Sequence, residues 1–246
     1  MVPAWLAALV VAYLPGALLM RVPLFNRPLR GALDAEERVY WGLVLSIAWS
    51  LLVTLGLAMV NRYSFDRLIL VSTSASTGIL LIWRTKLRYD AGVRPVTSTA
   101  LVPAAVVALG LWLFFPPAEY VMGGKDPGVY LNEGVQIAQQ GRLVSRDSTV
   151  ADVPAALRGL FFPQHRDPSY YGLRFMGFFV VDPDAGTVVG QFPHLFPASI
   201  AMGYGLNGLS GARQTTGFWA ILGLFGVYLL TTHMFGRAAA AGATGL

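Results

Sequence analysis

The chain has 246 residues, of which 55% are hydrophobic and 13% charged, with a formal net charge of +5. Soluble domains carry about 25% charged residues, so this composition is that of an integral membrane protein. There is no cysteine, which excludes disulfides, thiolate metal sites and cysteine nucleophiles.

A membrane-spanning helix takes about 20 mostly apolar residues, roughly 17 to 25, and about five stretches come near that length. Residues 2–20 are the first, with a kink expected at Pro15-Gly16. No basic segment precedes it and Arg21 follows directly, so it reads as a retained span and not as a cleaved signal. Asp34 to Arg38 read as the acidic first turn of a helix at the cytoplasmic surface, with no chemistry assigned. Residues 39–60 are the clearest span. Residues 68–83 are short and rich in Ser and Thr, which suits contact between helices better than exposure to lipid. Residues 99–115 and 216–235 are the fourth and fifth.

The positive charges set the orientation. Loop 21–38 carries Arg21, Arg27, Arg30 and Arg38, and loop 84–98 carries Arg84, Lys86, Arg88 and Arg94, whereas loop 61–67 has Arg62 and Arg67 alone. Basic loops stay on the cytoplasmic side. The N-terminus and the segment 116–215 are then expected outside, with Arg237 inside. Residues 117–215 hold eight acidic and seven basic residues. The basic excess therefore lies in short loops between spans, a pattern of membrane topology and not of nucleic-acid binding. The fold expected is an all-α polytopic membrane protein with an external α+β region. Residues 1–98 form a three-helix membrane part and 99–246 a second part.

Within the external segment, a helix is expected from about 127 to 140. Asp126 serves as its N-cap, Pro127 as its first residue and Gly141 as its stop. Residues 175–192 read as a β-hairpin whose turn is Asp182-Pro183-Asp184-Ala185-Gly186, so the two aspartates are turn formers and not metal ligands. Residues 192–213 are too rich in glycine and too interrupted for a span, and 194–208 read as a helix lying in the outer interface or re-entering it.

Asp126, Tyr130 and Glu133 fall at i, i+4 and i+7 and so share one helix face. They can converge on a pocket; the same spacing also fits a capping aspartate with two exposed polar neighbours. Lys125, after Gly123-Gly124, can meet a phosphate, although the P-loop spacing is absent. His194, between Pro193 and Leu195, can bind a phosphate, shuttle a proton or sit as a polar residue at the interface. His165 and Arg166 lie in a proline-bracketed loop, a place where substrate contacts occur. No zinc-ligand spacing, Ser-His-Asp arrangement or dinucleotide fingerprint is present. His233 reads as a polar group at a helix end. Charged residues are nearly absent inside the spans, which argues against ion-coupled transport through this stretch.

A span followed by an external aspartate, then "GVYLNEGVQIAQQGRL", then "FPHLFP" leading to "GLSGAR", then a span ending "HMFGRAAAAGA" resembles the N-terminal part of the GT-C superfamily of membrane glycosyltransferases. That group includes protein O-mannosyltransferases, the lipid A aminoarabinose transferase and Rgt-type lipopolysaccharide transferases. The resemblance covers about residues 99–246. It implies transfer of a sugar from a polyprenyl-phosphate donor to a glycan, lipid or protein acceptor, at the outer face of a bacterial inner membrane. Asp126 matches the family's loop aspartate, as general base or as ligand of the acceptor or of a divalent metal ion (Mg or Mn). Many members have a second acid beside it, where this chain has Pro127. The resemblance places His194 near the donor lipid phosphate and gives Lys125 or Arg142 the departing phosphate. It also implies that the chain is the N-terminal portion of a longer protein. The alternatives are a non-catalytic scaffold or assembly partner in envelope polysaccharide synthesis, and a fragment of a lipid or polymer transporter.

Overall fold

The structure is a computed structural model and describes residues 3–23, 33–85, 87, 101–117, 126–162, 164, 173–175 and 177–245. Lys125, His165 and Arg166 lie outside the described residues, as do Gly123, Gly124 and most of the loop 84–98. The chain divides into two units. The first comprises Met1–Ser50, Leu68–Pro117 and Gln214–Leu246; the second comprises Leu51–Arg67 and Ala118–Arg213.

In the first unit the opening apolar stretch is two helices, α1 (Ala4–Ala12) and α2 (Leu14–Leu19). The break falls at Tyr13, two residues ahead of the expected kink. Proline 15 has no N–H, so the carbonyl four residues before it, on Val11, loses its helical donor. The Ser50 hydroxyl supplies that bond at 2.7 Å, and the N–H of Gly16 donates to the Ser46 hydroxyl at 2.7 Å. Both serines are fully buried and belong to α3 (Ala35–Met59). Glycine 16 permits this contact, because a Cβ there would overlap the Gly42 carbonyl and the Ser46 backbone nitrogen.

The fourth helix, α4 (Phe65–Trp83), buries Ser72 and Ser76, as the expected role in helix contact requires. The fifth, α5 (Leu101–Phe114), is 14 residues long. At 1.5 Å per residue that is about 21 Å, short of the roughly 30 Å hydrocarbon core, and Pro116 and Pro117 bar its continuation. Among the described residues three helices are long and apolar enough to cross a membrane: Ala35–Met59, Phe65–Trp83 and Leu195–Phe235. Ala4–Leu19 and Leu101–Phe114 are shorter apolar helices, where the sequence had suggested spans. Trp112 and Leu101 are 77% and 71% exposed, a surface that suits lipid better than water.

The first turn of α3 is heavily bonded. The Asp34 N–H donates to Glu37 Oε2 at 2.8 Å, the reciprocal half of a capping box. Glu37 Oε1 pairs with His233 Nε2. Arg237 reaches Asp34 and Glu36 at 3.1 and 3.3 Å. His233 is thus a polar group at a helix end, as its position suggested.

The second unit is built on α6 (Asp126–Gln140). It includes β1 (Ser145–Arg146), α7 (Ser148–Ala151), α8 (Arg158–Phe161), β2 (Leu173–Phe175), β3 (Phe178–Asp182) and β4 (Thr187–Gly190). The strands form an antiparallel sheet in the order β1-β4-β3-β2. Val129 of α6 joins Val150, Phe162, Phe178, Val180 and Val188 in its core. The β3–β4 turn is the one expected, with Asp182 Oδ1 accepting the N–H groups of Asp184 and Ala185.

The last long helix, α9 (Leu195–Phe235), has 41 residues and departs from helical geometry at Asn207 and at Gly208, whose φ is +56. The segment read as an interfacial helix, 194–208, and the span placed at 216 are thus joined across this kink with no loop between them. A Cβ at Gly211 would overlap the Gly203 carbonyl, so that glycine is a packing position, whereas Gly208, with positive φ and open space around it, marks the kink. A final helix, α10 (Arg237–Gly245), follows.

Candidate functional site

The helix α6 buries Gly128, Val129, Leu131, Glu133, Gly134 and Ile137, which lie around its circumference, so it is packed on more than one side. A carboxylate buried there is costly unless it is paired. Glu133 is 1% exposed, and its Oε1 is bonded to His194 Nδ1, 61 residues away in sequence. The two meet because Gly134 brings α6 against Pro197 and Ile200 of α9, where any Cβ would collide. Glycine 190, at the end of β4, lies flush on the carboxylate; a Cβ there would overlap it. Glu133 Oε2 is buried without a hydrogen-bond partner among the described residues.

His194 precedes the first turn of α9, and its carbonyl accepts the Ala198 N–H at 2.9 Å. That helix end carries partial positive charge and favours the Glu133 anion. The hydrogen bond to Glu133 raises the His194 pKa above its ordinary value of about 6.5; burial opposes the shift, and the charge of Glu133 adds to it. With Nδ1 committed to Glu133, Nε2 is the ring nitrogen left for other chemistry, and the side chain is 30% exposed. One turn before Glu133, Tyr130 stacks on Phe192 at 4.8 Å and meets Phe196 edge-on at 5.5 Å. Aromatic residues thus flank His194 on both sides in sequence and fasten its segment to α6.

Asp126 is exposed at the solvent end of α6. It is the first described residue of α6, within one position of the expected cap. Tyr130 and Glu133 turn toward the 190–197 segment; Asp126 does not share their burial. Among the described residues no three His, Asp or Glu side chains gather to hold a metal ion. Arg142 is exposed and lines a cavity of about 400 Å³ with Ala58, Met59, Asn61, Leu143, Val144 and Thr187. None of Asp126, Glu133 and His194 lines that cavity.

Gln136 and Gln140, which share a face beside the acidic one, hold β1. Gln140 donates to the Arg146 carbonyl and accepts its N–H, both at 3.1 Å, and Gln136 accepts from Ser145 at 2.8 Å. Glycine 190 was missed by sequence reasoning, since nothing local distinguishes it from a strand-ending glycine. The aromatic pair Phe192 and Phe196 around His194 was the available signal for Tyr130. Comparison with family models, characterised proteins and solved structures finds no match for this chain.

Proposed function

We propose that the chain is the N-terminal region of a GT-C-type membrane glycosyltransferase. In this reading it transfers a sugar from a polyprenyl-phosphate donor to a glycan, lipid or protein acceptor at the outer face of a bacterial inner membrane. The observation that supports it is the contact between Glu133 and His194. The resemblance rests on two segments far apart in sequence, the helix after the external aspartate and "FPHLFP", and these are the segments that this contact joins. The second of them leads directly into α9, a helix apolar and long enough to cross a bilayer, where a lipid-linked donor resides.

The chemistry follows from that setting. The lipid keeps its tail in the membrane and its phosphate and sugar at the surface. An acceptor hydroxyl attacks the anomeric carbon, the bond to the phosphate oxygen breaks, and the configuration inverts without a covalent enzyme intermediate. Asp126, solvent-facing at the start of α6, serves as a ligand of the acceptor. The test is Asp126→Asn in the full chain, assayed with polyprenyl-phosphate hexose and pentose donors. Transfer is expected to disappear while yield and membrane insertion persist. Transfer at the wild-type rate removes Asp126 from the reaction.

A further inference from the structure

The glycosyltransferase reading leaves open which group takes the acceptor's proton. We propose that His194 is that base and that Glu133 is its positioning residue, so that the acceptor hydroxyl is delivered to His194 Nε2; this rests on the reading above. Three observations carry it. The carboxylate is buried and engaged through one oxygen by Nδ1 of the ring. Among the described residues no hydrogen bond engages Nε2, on a side chain that is 30% exposed. The surroundings are built to that pair: Gly190 leaves room for the carboxylate and no more, and Tyr130 with Phe192 and Phe196 holds the segment that carries His194.

An ionised carboxylate accepting Nδ1–H leaves the lone pair of a neutral ring on Nε2. That nitrogen removes the hydroxyl proton as the oxygen forms its bond to the anomeric carbon. The bond between that carbon and the phosphate oxygen breaks, and the phosphate leaves with the electron pair. The proton ends on His194, where Glu133 stabilises the imidazolium, and is then released to water. The titratable and charged groups on the elements around the pair are Asp126 and Tyr130 on α6 and, on the first part of α9, Tyr204 and Arg213; β4 has none.

The ring must be neutral to act, so kcat/KM is expected to rise with pH through an inflection above 6.5. The chain has three histidines, which makes them resolvable by NMR of the full chain in micelles with ¹³C-labelled histidine. The His194 resonance is expected to titrate above about 6.5 and to move down toward it in Glu133→Gln. The acid limb of the transfer profile should move with it. His194→Asn keeps an amide N–H where Nδ1–H stood and removes Nε2. It is expected to lower kcat by about 10²-fold or more, with yield and membrane insertion retained and little change in the donor KM. Full transfer by His194→Asn, or a His194 titration that ignores Glu133→Gln, overturns the base assignment and leaves the glycosyltransferase reading standing. No transfer by the wild-type chain from hexose or pentose donors sinks that reading and the base role with it.

Discussion

Among the described residues two buried glutamates are bonded to histidines, and they differ in what else surrounds them. Glu37, at the first turn of α3, is 7% exposed and uses both oxygens, one for His233 and one for the Asp34 N–H. Neighbouring Arg237 binds two more acids of the same turn. Glu133 is 1% exposed, uses one oxygen and has no arginine bonded to it. The first pair finishes a helix end. The second is held by close packing and keeps unused hydrogen-bonding capacity. A Glu–His contact is therefore no guide to function by itself; the satisfaction of the remaining atoms separates the two.

The largest stability effect expected from perturbing this contrast is at Gly190. Gly190→Ala forces a Cβ into the Glu133 carboxylate and should cost about 1–3 kcal/mol, whereas Gly223→Ala, with open space around it, should be neutral or slightly stabilising in its helix. Thermal unfolding in micelles measures both. Next comes Glu37→Gln, which weakens the cap and is expected to cost about 1 kcal/mol with no change in transfer. An equal loss of transfer in Glu37→Gln and Glu133→Gln would erase the distinction.

The pH dependence is smaller and has a definite sign. The His194 pKa is raised in the folded state, so its stabilisation is fully present below about 6.5 and is lost as pH rises through the folded value. The wild-type thermal midpoint should fall relative to His194→Asn across that window; a parallel course for the two proteins contradicts the pairing. The smallest effect is expected at the surface, where Arg158 meets Asp184 at 2.7 Å with the acid 84% exposed. Arg158→Ala should change stability by under about 1 kcal/mol.

Local chemistry was legible in the sequence. Asp182 to Gly186 announced a turn because side chain and backbone there satisfy each other within five residues. Gly141 ended α6 because φ is +70 at that point. The Ser and Thr content of α4 pointed to helix contact, and Ser72 and Ser76 are buried. What could not be read depends on distant partners. The Glu133 and His194 side chains were both candidates, but the helical face grouped Glu133 with Asp126, and only packing through Gly134 reassigns it to His194. The glycines of 203–217 looked like breaks because a sequence does not distinguish a glycine that frees the backbone from one that lets two backbones touch.

The serines opposite the proline break bear on how the chain enters a bilayer. In lipid, the Val11 carbonyl and the Gly16 N–H have no water to turn to, and their partners lie on the next long helix. The opening segment is therefore poorly suited to insertion alone. It should leave the translocon together with α3 as a helical hairpin, so that Ser46→Ala with Ser50→Ala is expected to disturb biogenesis before it disturbs anything the mature protein does.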